Sequence, residues 1–202
     1  MYIARILYPV KVLGPGNRIG IWMAGCKHGC KGCSNPELWE FQDKYQTSLS
    51  TVLSLIRKIA DNNIVDGFTI TGGDPFEQPE DLKALLEQVH DISSDILVYT
   101  GYDFETIRNM HEDVLSRVSV LIDGKYVESK NTGRCLVGSD NQRIYYLAES
   151  VKGKYEEYIA ENQNQIQNFT STDGIISVGI HRPEYQRELN VEVKKKGLEV
   201  LE

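Results

Sequence analysis

The chain has 202 residues, with 22 Lys+Arg against 29 Asp+Glu for a formal charge of −7, and is 41% hydrophobic and 25% charged. That is a globular composition with enough residues for one sizeable core, and it excludes collagen-like, low-complexity and repeat architectures. No apolar run approaches the ~20 residues of a membrane helix, and an acidic chain lacks the basic field of a non-specific nucleic-acid binder, so neither a membrane nor a nucleic acid is expected as a partner.

The start, Met1 to Arg5, lacks the basic opening and long apolar stretch of a signal peptide, and a cytoplasmic location is expected. Residues 2–8 and 19–24 are short apolar runs rich in Ile, Tyr and Trp and read as strands. Leu13-Gly14-Pro15-Gly16 between them is a turn signal. Residues 25–36 carry three cysteines, several glycines and no periodicity, and read as a loop. Thr47 or Ser48 can cap a helix reaching about Asn62, with Val52, Leu55, Ile56 and Ile59 at helical spacing. Gly67 to Thr71 is a strand ending at Gly72-Gly73, and Pro79-Glu80-Asp81 opens a helix with Leu82, Leu85, Leu86 and Val89 on one face. Asp95 to Tyr99 is a strand ending at Thr100-Gly101. Asp103 caps a helix through Met110. Val118 to Ile122 is a strand ending at Asp123-Gly124, and another strand follows at 144–147. Residues 148–168 carry a polar helical pattern with a thin stripe of Val151, Tyr155, Tyr158 and Ile159. Residues 174–180 and 189–193 read as strands, and Lys194 to Gly197 as a turn before Leu198 to Leu201.

Strands alternating with helices predict an α/β fold with parallel strands. In such folds functional groups collect where the strands end. The Gly-Gly, Thr-Gly and Asp-Gly exits and the cysteine loop therefore converge on one edge. Residues 1–147 form the core in this reading, and 148–202 a short α+β appendage on the same domain.

Cys26, Cys30 and Cys33 fall within eight positions, and Cys135 stands far downstream. In a reducing compartment such a triplet is a metal or redox site rather than a disulfide framework. Thiolates suit iron–sulfur clusters or zinc. Three cysteines can hold three corners of a four-iron cluster and leave one iron open to the amino and carboxylate groups of a small molecule. S-adenosylmethionine has both groups and a sulfonium that one electron can cleave. The alternative is a structural zinc site closed by His28 or Cys135. His28 by itself reads as a partly exposed loop histidine, and Cys135 as a small packed hydrophobe.

The spacing Cys26-x3-Cys30-x2-Cys33 resembles the signature of the radical S-adenosylmethionine superfamily. The flanking sequence resembles its branch of anaerobic ribonucleotide reductase activating proteins, which are glycyl-radical enzyme activases. The likeness rests on Gly14-Pro15-Gly16-Asn17-Arg18, Asn35-Pro36-Glu37-Leu38-Trp39, Gly72-Gly73-Asp74-Pro75, Thr100-Gly101-Tyr102, Leu121 to Gly124 and Gly138 to Arg143, in order over about residues 11–147. The resemblance implies a partial (β/α) barrel with the cluster loop at the carboxyl edge of its strands. It implies a 4Fe-4S cluster on Cys26, Cys30 and Cys33 whose open iron chelates S-adenosylmethionine. Gly72, Gly73, Asp74, Thr100, Tyr102, Asp123 and Arg143 would be the cofactor-binding residues, with Asp74 and nearby backbone carbonyls on the methionine amino group and the Arg143 guanidinium on its carboxylate. Arg18 is a further candidate. The implied partners are a large glycyl-radical enzyme, such as anaerobic ribonucleotide reductase, and a flavodoxin-like or other one-electron reductant. The alternatives are a radical enzyme acting on a small molecule or another peptide, and a non-catalytic iron–sulfur or zinc binding module.

The sequence departs from the pattern in three places. Gly32 stands where the wider superfamily has an aromatic residue, so Trp22 and Trp39 are candidates to shield the cluster. Lys125-Tyr126 follows Asp123-Gly124 where Pro-Phe is usual. The tail after residue 148 extends beyond the likeness, and Lys194 to Lys196 reads as a solvated turn.

Overall fold

The computed structural model describes residues 1–171, 174–182 and 184–195. Its centre is a six-stranded sheet of β1 (Ile3–Val10), β2 (Arg18–Met23), β3 (Gly67–Gly72), β4 (Ile96–Tyr99), β5 (Val120–Asp123) and β6 (Arg143–Tyr146), in sequential order. β2 to β5 are parallel, and β1 and β6 are antiparallel edges. The chain is thus mixed α/β with a mostly parallel sheet, joined by a small antiparallel hairpin, β7 (Ile166–Ser171) and β8 (Gly174–Gly179).

Side chains alternate across a strand, and here both faces are buried. Ile19, Ile21, Met23, Phe68, Ile70, Ile96, Val98 and Leu121 face one way and pack on α1 (Leu49–Ala60), α2 (Pro79–Val89), α3 (Phe104–Met110) and α4 (Glu112–Leu115). Leu97, Val120 and Ile122 face the other way, against Val151 and Tyr155 of α5 (Glu149–Glu161). Each such side chain removed from water contributes roughly 1.5–3 kcal/mol before entropy is subtracted. Among the described residues no helix is long and apolar enough to cross a membrane.

The helix starts follow the capping signals. The Ser48 side chain accepts from Thr51 N, and Asp103 from Thr106 N. Within α1 the buried stripe is Val52, Leu53 and Ile56, whereas Leu55, expected on that face, is 44% exposed. Leu49, Val52, Ile56 and Ile59 centre the stripe, and a residue one position before Ile56 lies about 100° off it.

The tail corrects three expectations. The helix expected over 148–168 stops at Glu161, where Asn162 turns extended (φ −116, ψ 144), and residues from Ile166 enter β7. The strand expected at 189–193 is part of α6 (Tyr185–Lys195). The Leu-Asn-Val-Glu-Val alternation has a strand's period, but the Glu, Gln, Arg and Lys around it favour helix. The turn expected at Lys194 to Gly197 is α6 at Lys194 and Lys195. Its remainder and Leu198 to Leu201 lie outside the described residues.

Below the sheet, at the amino ends of its parallel strands, Arg18 is fully buried. It donates to Thr69 Oγ1 (2.7 Å), to the carbonyls of Phe68 and Pro15, and to Asp95 Oδ1 (3.1 Å). Asp95 also accepts from Tyr155 Oη and Lys154 Nζ, each at 2.8 Å, which fastens α5 to the sheet. Burial pushes the Asp95 carboxyl up, and Arg18, Lys154 and Tyr155 more than reverse this, so it lies below its ordinary value.

Candidate functional site

The cysteine loop leaves β2 after Met23, at the carboxyl end of the parallel strands. Its first turn is held by a returning segment. Gly25 N and Cys26 N donate to the carbonyls of Leu38 and Trp39, each at 2.8 Å. Pro36 opens a 3-10 turn over Pro36–Leu38, and the Arg5 guanidinium holds Glu37 from β1. The Asn-Pro-Glu-Leu-Trp stretch is therefore the strap that closes the loop. Cys33 N bonds the Cys30 carbonyl (3.2 Å), and Cys33 Sγ accepts from Asn35 N (3.4 Å).

Cys26, Cys30 and Cys33 are half-buried free thiols that line one cleft with His28, Gly73 and Thr100. Trp22 and Trp39, the expected shields, line it too. Burial pushes the Cys26 thiol up to about 11, with the Asp74 carboxylate and the other two thiols adding to the rise, and burial also raises Cys30. The bare Cys26 and Cys30 thiols are protonated at neutral pH, and metal binding would release those protons. Among the described residues no three His, Cys, Asp or Glu side chains are gathered at single-ion spacing. Cys135 is 6% exposed in the apolar cluster under α5 and does not line the cleft.

Gly72 and Gly73 are where the β3 exit crosses the start of the cysteine loop. A Cβ on Gly72 (φ +114) would stand 2.3 Å from Met23 O, and one on Gly73 would stand 2.4 Å from Gly25 O. The glycines let Gly73 N and Asp74 N bond the carbonyls of Met23 (2.6 Å) and Gly25 (2.7 Å). The fully buried Asp74 then ties three strand exits together. Its Oδ1 accepts from Phe76 N (3.0 Å) and its Oδ2 from Gly101 N (2.8 Å). Thr100 Oγ1 lies 3.0 Å from both oxygens, and His28 Nε2 lies 2.7 Å from Oδ2. Asp74 caps the turn and also braces the cleft from beneath.

His28 is a half-buried loop residue, as expected, with its side chain turned inward and only 7% exposed. Its ring meets Tyr102 edge-on at 4.5 Å and fits over Gly101, where a Cβ would come within 2.3 Å of Cδ2. The signal that reveals it is the pairing of a loop histidine with the glycine of a Thr-Gly exit, which only the three-dimensional fold brings together. Cys135, one closing ligand of the zinc reading, lies in the core away from the three thiols, whereas His28 lines the cleft with them and holds Asp74 through Nε2.

The remaining candidates divide. Gly73 and Thr100 line the cleft, with Asp74 fully buried beneath it and Gly72 buried behind it. Tyr102 stands behind it, its hydroxyl on Glu77, which also meets Lys27. The Glu77 bond raises the Tyr102 pKa. On Glu77, burial raises the pKa, and Lys27 and Tyr102 outweigh it. Asp123 is 5% exposed and spends its oxygens on Phe104 N (2.8 Å) and Arg143 N (3.2 Å), joining α3 and β6 to the end of β5. Arg143 is exposed and does not line the cleft. Gln142 knits that corner, accepting from Gly138 N (2.7 Å) and donating to Gly124 O (2.7 Å). Arg18 is a brace at the far end of the sheet. Two stretches the sequence reading did not single out as site line the cleft: Tyr126, and the run from Ser177 to His181.

Three thiols on a loop at the carboxyl end of a parallel sheet, beside strand exits tied by one carboxylate, form a site of soft ligands suited to iron–sulfur or zinc chemistry. The family described as "4Fe-4S single cluster domain" matches residues 12–145. The chain is 35% identical over 150 residues to the anaerobic ribonucleoside-triphosphate reductase-activating protein of Enterobacteria phage T4, covering 72% of this chain and 94% of the phage protein. It is 31% identical to the protein of that name from Escherichia coli K12 (69% and 96% covered) and 33% identical to that of Haemophilus influenzae (68% and 94%). The chain belongs to the family of anaerobic ribonucleoside-triphosphate reductase-activating proteins.

Proposed function

We propose that this chain is a radical S-adenosylmethionine activating enzyme that installs a glycyl radical on an anaerobic ribonucleoside-triphosphate reductase. The observation that carries the reading is the shared cleft: Cys26, Cys30 and Cys33 face Gly73 and Thr100 across it, with Asp74 buried beneath. Three soft ligands on one loop fit a four-iron cluster with one open corner. When bound, the cluster and S-adenosylmethionine supply one-electron cleavage of the sulfonium to methionine and a 5′-deoxyadenosyl radical, which takes a hydrogen atom from a partner glycine.

The chain's own residues hold the groups in place. Cys26, Cys30 and Cys33 are the ligands. His28 pins the ligand loop to Asp74, and Thr100 and Gly101 fix the same carboxylate from β4. The Gly73 backbone borders the cleft beside the loop, where an ammonium group would sit. Trp22 and Trp39 limit water. Asp123 and Tyr102 act as braces behind the cleft in this reading, and Arg143 would have to swing inward to meet a carboxylate. The sequential sheet, with its four helices on one face, is read as a partial barrel, since parallel crossovers of one hand place their helices on one side. The core is 1–147 and the extension 148–202. A small one-electron donor of flavodoxin type in the cytoplasm is the matching reductant.

Anaerobic reconstitution with iron and sulfide, then reduction with S-adenosylmethionine, tests the reading. About four irons and four sulfides per chain, 5′-deoxyadenosine, and a glycyl signal by electron spin resonance once the reductase is added are expected. Stoichiometric zinc without sulfide, or no 5′-deoxyadenosine, would overturn it.

A further inference from the structure

The cleft has one wall that lies outside the family match. Ser177, Val178, Gly179, Ile180 and His181 border it, whereas the match ends at residue 145. About 150 aligned residues account for 94–96% of each relative, and what is left is too short to supply such a hairpin.

Five consecutive residues border the cavity, Ser177 to Gly179 in β8 and Ile180 and His181 just past its end. Strand side chains alternate between faces, so three consecutive strand residues at the cavity mean that β8 presents its edge rather than a face. Its other edge pairs with β7, and among the described residues no third strand joins this sheet. The edge is held firmly. Gln167 of β7 bonds Lys11 N and Pro9 O (2.9 and 2.7 Å), Val178 and Ile176 pack with Trp22 and Leu38, and Asn131 Nδ2 donates to His181 O (2.8 Å). The His181 ring stacks on Tyr185 at 4.5 Å, and its Nε2 is buried with no hydrogen-bond partner. A buried polar atom left without a partner is costly and calls for a missing one. Burial lowers the His181 pKa, so the imidazole is neutral at pH 7 and the wall carries no charge.

We infer that the outer edge of β8, with the His181 imidazole, is a docking edge for an extended, uncharged, glycine-bearing segment of the partner polypeptide. An open strand edge accepts a peptide by main-chain pairing. A neutral wall suits a peptide backbone better than the ammonium, carboxylate and sulfonium of the cofactor, which belong to the polar side at Gly73, Asp74 and Thr100. The inference takes the partner's identity from the proposed function and goes beyond it by assigning the surface.

The full chain and the anaerobic ribonucleoside-triphosphate reductase of the same source provide the test. Reductase binding should slow amide hydrogen exchange over residues 176–181 at least tenfold. His181→Ala should raise the Kd for reductase roughly three- to tenfold, the effect of one lost hydrogen bond, and leave S-adenosylmethionine affinity unchanged. His181→Gln, which keeps a donor and an acceptor, should restore most of the affinity. Unchanged exchange at 176–181, an unchanged Kd in His181→Ala, or a loss of cofactor affinity instead would overturn the inference. Wild-type production of 5′-deoxyadenosine, measured alongside, is independent: its absence with His181-dependent binding sinks the proposed chemistry and leaves the docking edge standing.

Discussion

Replacing Asp74 by Asn tests whether one carboxylate ties the cleft together. The change is nearly isosteric, so its effect comes from hydrogen-bond polarity alone. Each carboxylate oxygen accepts a backbone N–H, Oδ1 from Phe76 and Oδ2 from Gly101. An amide has one acceptor end and one donor end. Whichever way it is turned, its NH2 faces one of those N–H groups. The Thr100 hydroxyl and the His28 ring can adapt; a backbone donor cannot. One buried donor left unsatisfied costs about 1–3 kcal/mol, and the remaining bonds lose their charge assistance. A destabilisation of about 2–3 kcal/mol follows, and for a chain of this size a melting point lower by roughly 4–12 °C. Calorimetry on the metal-free chain under reducing conditions measures it without any cofactor. Asp103→Asn, at an exposed N-cap where Asn serves as well, is the control and should melt as the wild type does. Asp74→Asn melting within a degree of the wild type would refute the tie, and with it the role given to His28.

Other outcomes follow from the same contacts. Cys26→Ala, Cys30→Ala and Cys33→Ala should each reduce bound iron and sulfide to a small fraction of the wild type after reconstitution, whereas Cys135→Ala, in the core, should keep both; chemical iron and sulfide analysis checks this. Tyr155→Phe removes a donor to a buried carboxylate and should cost about 1.5–3 kcal/mol in urea unfolding. Asp95 has a lowered pKa in the fold, so its contribution is complete above the unfolded value of about 3.9 and is lost as pH falls through the lower folded value. Wild-type stability should therefore drop below about pH 4. Asp95→Asn should be weaker at neutral pH and flatter in that acid range, as denaturant melts across pH would show.

The parallel core was legible because its residues obey short-range rules. Short apolar runs rich in Ile, Val, Leu and Phe in β2 to β5, the Ser48 and Asp103 caps and the Pro79 start each carry their information within a few positions. The cysteine spacing is local in the same way. His28, Asp95 and Tyr155 were not legible, because their partners lie 46, 77 and 60 residues away in the bonds His28–Asp74, Arg18–Asp95 and Tyr155–Asp95. Asp123 and Arg143 matched a motif, yet a motif does not say which way a side chain turns: Asp123 turns into the joints of α3 and β6, and Arg143 into solvent. The tail misled because Leu189 to Val193 has the period of a strand within a helix-favouring composition, and because the edge formed by Ser177 to His181 carries no sequence signature.

The extension is anchored at both ends of the sheet, and this constrains how it can be studied. Tyr155 and Lys154 hold α5 to Asp95 at the amino ends of the parallel strands. Gln167 and Asn131 hold the hairpin near the cleft. Between these anchors Val151 and Tyr155 cover Leu97, Val120 and Ile122, which are fully buried. Cutting the chain after residue 147 would uncover those three side chains and leave the Arg18–Asp95 pair without the Tyr155 hydroxyl. The product would lose stability for reasons unrelated to the cleft, and a loss of activity in it would say nothing about β8. Single changes at His181 leave both anchors and the covered face intact, so they separate the wall's contribution to partner binding from the extension's contribution to the fold.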